Sequence, residues 1–186
     1  MKKDYLRQAW LVLVLAVVFS ASLAGIDARL AGRIEANKLS ETIGQIPLLV
    51  PGSQAGRYDT ALKAYRATDA AGELVGWVVP AGGQGFADKI ELLIGLDKSA
   101  RKITGLYVLD QKETPGLGNR ITEADWQRQF VGLSAGEAVG VTKSESPAAG
   151  EVRAVTGATI SSESVAGIVN ATMSAVRDSL AAAAKE

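Results

Sequence analysis

Two short segments carry the residue types with chemistry to offer. Thr156-Gly157-Ala158-Thr159-Ile160-Ser161-Ser162 sets hydroxyls and a glycine directly ahead of a helix-patterned run. Free N–H groups and the positive dipole end of such a helix favour an anion, and Gly157 lets a ligand approach the backbone, so phosphate suits this address. The same residue types also serve as plain helix caps, and spacing alone leaves both readings open. The second segment is Glu113-Thr114-Pro115-Gly116-Leu117-Gly118-Asn119-Arg120. Pro115 and two glycines fix a turn that either faces its amides toward a planar ligand, with Leu117 as apolar contact, or is an ordinary loop. Glu113 then accepts a hydrogen bond from such a ligand or balances Arg120.

Composition narrows what these segments can do. The chain has 186 residues, 20 Lys+Arg against 20 Asp+Glu, no Cys and no His. Without Cys or His it lacks the usual ligands of iron-sulfur clusters, haem and zinc, and it lacks a cysteine nucleophile or a Ser-His pair. No spacing of Asp88 and Asp97 requires a metal, so no metal site and no catalytic residue is expected. Formal neutrality, with no basic cluster beyond Lys2, Lys3 and Arg7, argues against nucleic acid as a partner.

The elements that must position the two segments follow from patterning. Gln8 to Ile26 is an uncharged run long enough to cross a bilayer, preceded by Lys2, Lys3 and Arg7 and followed by mixed charges. The reading is a cytoplasmic tail over 1–7, a transmembrane helix over 8–26 with Trp10 at the interface, and the remainder outside. A cleaved signal peptide ending near Ser22-Leu23-Ala24 is the competing reading, and would give a secreted protein. Residues 27–56 read as a solvated helical stalk to about Ile43 and a linker punctuated by Pro47, Pro51, Gly52 and Gly56, with a folded domain over 57–186.

Within that domain, Ala64–Thr68 and Glu73–Val79 suggest one hairpin around Asp69-Ala70-Ala71-Gly72. Lys89–Leu96 and Lys102–Asp110 suggest a second, with AGGQGF as the loop between them. Ser161–Ala184 predicts a helix capped by Ser161 or Ser162 with Glu163 in its first turn. Trp126 and Phe130 fall at helical spacing and read as core, as does Tyr107 on its strand. The closing AAAAKE reads as a fraying end. The fold class is α+β: one N-terminal transmembrane helix, then a compact domain of antiparallel strands closed by a C-terminal helix.

Taken together, the two segments resemble the FMN-binding domain family of the G subunit of the Rnf electron-transport complex and the related C subunit of sodium-translocating NADH:quinone oxidoreductase. The resemblance covers about residues 60 to 180, including LIGLDKSARKITGLYVLDQKETPGLG. It implies FMN held covalently, its phosphate esterified to Thr159 as the last residue of the [S/T]GAT motif, with Thr156, Gly157, Ala158, Ile160 and Ser161 around it. The family's ETPGLG loop lies against the isoalloxazine ring, which implies Glu113, Thr114, Gly116, Leu117 and Gly118. Lys143 matches a basic position upstream of the motif, and Gly82-Gly83-Gln84-Gly85 a glycine-rich segment. The family usually carries Asp three residues before the motif, where this chain has Arg153.

The resemblance implies an electron-relaying subunit of an ion-translocating ferredoxin:NAD oxidoreductase, without independent turnover, on the outer side of a cell inner membrane. Its partners would be other membrane and iron-sulfur or flavin subunits and a flavin transferase that attaches the cofactor. The rival readings are the C subunit of the sodium pump, a freestanding flavin-tethered carrier, and, from another class, a flavin-free membrane-tethered binding or assembly module.

Overall fold

The computed structural model describes residues 2–184. The side chains of residues 2–8 and 55 fall outside the described residues, among them Lys2, Lys3 and Arg7, which carry the expected orientation; Lys185 and Glu186 of the closing tract fall outside as well. The chain divides into two units, residues 1–40 and 41–186. Helix α1 runs Lys2–Leu49, and from Ala9 onward it is long and apolar enough to cross a membrane.

The second unit is built on a five-stranded antiparallel meander in the order β1-β2-β3-β4-β5, covering Ala55–Asp59, Ala64–Thr68, Leu74–Gln84, Lys89–Asp97 and Ile103–Asp110. Side chains alternate across it, as strand geometry requires. Ile90, Leu92, Ile94 and Leu96 of β4 point into a large core with Trp77 and Val79 of β3. Leu93 and Val78 point to the opposite face, where Ile46, Leu49 and Val50 cover them. A short helix α2 (Ala124–Gln127), the parallel strand pair β6 (Gly140–Thr142) and β7 (Glu151–Arg153), and helix α3 (Thr159–Ala183) complete the domain. Val165, Ile168, Val169 and Met173 of α3 close the large core.

Both expected hairpins are present, with Asp69 accepting from the amides of Ala71 and Glu73 at the first turn. At the second, Asp97 accepts from those of Arg101 and Lys102.

Three local expectations need correction. Gly82, Gly83 and Gln84 are not a loop; they extend β3 and pair with Glu91, Ile90 and Lys89 of β4, fusing the two hairpins into one meander. Beyond Val78 strand β3 overhangs β2 and pairs with β4 alone, a free edge on which Pro80 is tolerated. Helix α3 begins at Thr159 with Ala158 as its cap residue, so neither Ser161 nor Ser162 is the cap, and no acidic residue stands in the first turn. Helix α1 continues through Pro47 to Leu49, because its end is buried rather than solvated: Ile46 and Leu49 pack on the sheet, and Thr104 donates to the Leu49 carbonyl at 2.6 Å. Gly95 and Gly105 make room there, since a Cβ at either would lie 2.5–3.1 Å from Leu49 backbone atoms.

Candidate functional site

The ETPGLG loop leaves β5 as a tight turn. The Leu117 amide donates to the Thr114 carbonyl at 3.1 Å, Pro115 occupies the second position and Gly116 the third at φ +76°. This is a turn that needs glycine where φ is positive. The Asn119 side chain accepts from the Gly116 amide and locks it. Leu117 is thereby held outward, 46% exposed.

Opposite it, the segment before α3 is fixed by Ser162. The buried Ser162 hydroxyl accepts from the Val155 amide at 3.0 Å and donates to the Ala158 carbonyl at 3.0 Å. Gly157 turns at φ +82°, and a Cβ there would come within 3.0 Å of Leu117 Cδ2, so the two segments touch.

Beneath them lies Glu113, 4% exposed. Its carboxylate accepts from the Ser161 hydroxyl at 2.6 Å and from the Ala87 amide at 3.0 Å, tying the turn after β3, the ETPGLG loop and α3 together. The expected alternative of an ion pair with Arg120 is corrected by this geometry. Arg120 instead binds Glu123 at 2.8 Å, and that hydrogen bond pulls the Glu123 carboxyl below its usual range. Nearby Asp88 is also held low, first by the Lys89 amide and then by Lys112.

Between the two segments opens a cavity of about 330 Å³ walled by Thr114, Leu117 and Gly118 on one side and by residues 157–161 on the other. Phe86 adds a wall that sequence reasoning missed, although its place in AGGQGF beside the glycine-rich segment was a signal. Phe86, Ile160 and Leu117 are 60%, 54% and 46% exposed, an apolar rim around a lining with no charged residue. A second cavity of about 380 Å³ lies on the other side of the motif and is lined by Lys143, Arg153, Thr156, Gly157 and Thr159. Thr159 and Gly157 belong to both cavities.

The structure therefore gathers Thr114, Leu117, Gly118 and the motif residues Gly157–Ser161 at one cavity, and Thr156 with Lys143 at the other. Gly116 shapes the turn and Glu113 supports the floor without lining either space. Of the glycine-rich segment only Gly85 bears on the site, where a Cβ would lie 2.4 Å from the Glu113 carboxylate. Trp126 and Phe130 are core, stacked edge to face at 5.3 Å. No cluster of metal-ligating side chains occurs among the described residues.

These spaces fit a flavin nucleotide by the chemistry of their linings. The neutral, apolar-rimmed cavity matches a planar ring system, the cationic one matches a phosphate, and a hydroxyl and a glycine sit where the two meet. Comparison with known proteins points the same way. Residues 85–174 match the model of the FMN-binding domain. The chain is 41% identical over 101 residues to the G subunit of the ion-translocating oxidoreductase complex of Methanosarcina acetivorans, covering 54% of this chain and 51% of that protein. It is 38% identical over 101 residues to the G subunit of the Na(+)-translocating ferredoxin:NAD(+) oxidoreductase complex of Acetobacterium woodii, covering 53% and 48%. The matched region thus spans about half the length of these curated relatives. The crystal structure of Shewanella oneidensis NqrC has the same fold, with a TM-score of 0.57 at 21% identity over 71% of this chain and 70% of that one. Sequence comparison, fold and site geometry converge on residues 85–174, which are similar to the FMN-binding domain.

Proposed function

We propose that this chain is an electron-carrying subunit of an Rnf-type, ion-translocating membrane complex, and that it carries FMN as a phosphoester on Thr159. The observation that supports the attachment point most directly is the state of the hydroxyls at the start of α3. Ser161 is committed to Glu113 and Ser162 to Ala158 and Val155, whereas the Thr159 hydroxyl makes no hydrogen bond among the described residues. Thr159 is also the hydroxyl shared by the neutral and the cationic cavity. The helix start has no side-chain cap, which leaves its amides free to face the phosphate.

In this reading Leu117, Phe86 and Ile160 contact the ring and shield it from water on part of its surface. The Pro115-Gly116 turn and Gly118 hold the loop in place, and Glu113 fixes the loop to the helix. Flavin supplies chemistry that passes one or two electrons, and the chain supplies binding, orientation and electrostatics. The two cavities that share Thr159 are lined by no carboxylate, and ester formation is assigned to a separate flavin transferase.

With no Cys and no His, the chain holds no iron-sulfur cluster or haem by the usual ligands, so electrons arrive from and leave to other subunits. Residues 8–26 are assigned to the membrane, with 1–7 cytoplasmic, the part of α1 that follows up to residue 40 as a stalk, and the flavin domain of 41–186 on the outer face of an inner membrane. The apolar stretch of α1 and the names of the relatives support the membrane location, and the Lys2, Lys3 and Arg7 charges ahead of that stretch support the orientation.

The test is in-gel flavin fluorescence of the denatured chain from a host with the matching transferase, wild type beside Thr159→Val. A fluorescent wild-type band and a dark variant are expected. A fluorescent Thr159→Val band would move the attachment elsewhere. Two dark bands beside a fluorescent control would favour the flavin-free tethered module.

A further inference from the structure

Arg153 lies in the cationic cavity beside Thr159. Its placement follows from the parallel pairing of β6 and β7, in which Thr142 stands opposite Arg153 and the Ala154 amide continues the ladder to the Thr142 carbonyl at 2.8 Å. Parallel strands end at the same edge, so Lys143, which follows β6 directly, and Arg153, which ends β7, are delivered to one place. The Arg153 backbone is pinned, its amide to the Gln129 side chain at 2.7 Å and its carbonyl to the Trp126 indole at 2.8 Å. The guanidinium itself has one partner among the described residues, Glu145 at 3.4 Å, whose side chain is 87% exposed. An exposed pair of that kind is weak, and one carboxylate leaves most of the five guanidinium donors unused. The cavity lining holds two cations and no carboxylate, while the cavity across Thr159 holds no charge at all.

Resting on the FMN reading above, we infer that Arg153, with Lys143, binds the flavin phosphate and makes this chain select a phosphorylated flavin over an unphosphorylated one. Guanidinium suits the role because its planar fork meets phosphate oxygens two at a time, where a lysine acts as a point charge. Arg153 adds a cation at the side of the acceptor hydroxyl on which the phosphate must sit. Arg153 thus contacts the phosphate oxygens beside Thr159 and neutralises the charge that the phosphate keeps. Glu145 competes for the same guanidinium.

The experiment uses the full chain in detergent, made in a host without flavin transferase so that Thr159 is unmodified, and titrates FMN and riboflavin separately by flavin fluorescence. Wild type should bind FMN more tightly than riboflavin. In Arg153→Gln the FMN preference should fall about five-fold with riboflavin affinity unchanged, Arg153→Lys should recover part of it, and Glu145→Gln should raise it about two-fold. An unchanged preference in Arg153→Gln would overturn the inference while leaving the FMN reading intact. So would equal weakening of both ligands, which would make Arg153 a structural residue. Wild type that bound neither flavin would overturn the inference, while the FMN reading stands or falls with the in-gel fluorescence of the transferase-treated chain.

Discussion

The hydroxyl of Ser161 donates to Oε2 of Glu113 across 2.6 Å, joining the first turn of α3 to the loop after β5 inside the protein. Among the described residues no cation pairs with that carboxylate; its other partner is the Ala87 amide. A buried acceptor held by two hydrogen bonds depends heavily on each, since losing one donor exposes the desolvation cost of the acceptor. Ser161→Ala should therefore destabilise the domain by about 1–3 kcal/mol. Urea unfolding should show this as a lower midpoint at unchanged slope. An unmoved midpoint would mean that Glu113 is held by the Ala87 amide alone.

The same carboxylate makes two glycines unequal. At Gly118 a Cβ would come within 2.8 Å of both Glu113 Oε2 and Ser161 Oγ, whereas at Gly167, on the exposed side of α3, nothing lies within 4 Å. Gly118→Ala should cost about 1–3 kcal/mol by overpacking and should loosen the cavity wall. Gly167→Ala should stabilise the protein by about 0.5–1 kcal/mol, because the helix gains a better former and loses backbone entropy in the unfolded chain. Thermal unfolding of the two variants should move in opposite directions from wild type, and a shift of the same sign would contradict this account of the site's packing.

A third expectation concerns the far face of the sheet. The Tyr107 hydroxyl donates to Glu41 at 2.7 Å, and this bond, then burial, raises the phenol from 10.0 to about 12. The folded protein holds that proton more tightly than the unfolded chain does. The associated stability is complete below about pH 10 and is lost as pH rises toward about 12. Tyr65 is raised as well, by burial and then by Tyr58. Tyr107→Phe should accordingly flatten the alkaline loss of stability without abolishing it. Denaturation midpoints measured from pH 8.5 to 11.5 should show the difference, and parallel curves would remove Tyr107 from the explanation.

What the sequence disclosed depended on how each element is held. Strand β4 was legible because Ile90, Leu92, Ile94 and Leu96 alternate toward one core, and α3 because Val165, Ile168 and Val169 recur at helical spacing. Strand β1 has no such alternation, and β6 and β7 are three residues each, so only tertiary pairing defines them. The Pro80-to-Gln84 stretch reads as a breaker by local propensity, yet β4 supplies a partner along its whole length. At the site, the two motif segments were visible as turn chemistry, but their contact through Leu117 and Gly157 joins residues forty apart in sequence and has no local signature. Glu113 reads as a ligand contact or as a partner of Arg120, and neither reading signals its burial, which comes from Gly85 and Gly118 packing against the carboxylate. The two cavities meeting at Thr159 were likewise invisible, because β6 and β7, which bring Lys143 and Arg153 together, were not foreseen.

Leu117 offers a test of the ring side of the proposal. It stands on the Pro115-Gly116 turn, reaches Gly157 and is 46% exposed, so replacing it should leave the fold intact and change chiefly what the cavity contains. Leu117→Asp places an anion beside the proposed ring position. Reduction adds electron density to a flavin, so a neighbouring negative charge should disfavour it and lower the potential. At a half-exposed position, screening reduces the Coulomb effect to roughly 1 kcal/mol, or about 20 mV for a two-electron couple. Attachment at Thr159 should persist, since the helix start and the cationic cavity are untouched. Leu117→Asn, nearly isosteric with Asp and uncharged, should restore most of the potential, which separates charge from loss of packing. A redox titration of the covalently loaded Leu117→Asp protein that overlaid the wild-type curve would place the ring outside this cavity while leaving the Thr159 ester undisturbed.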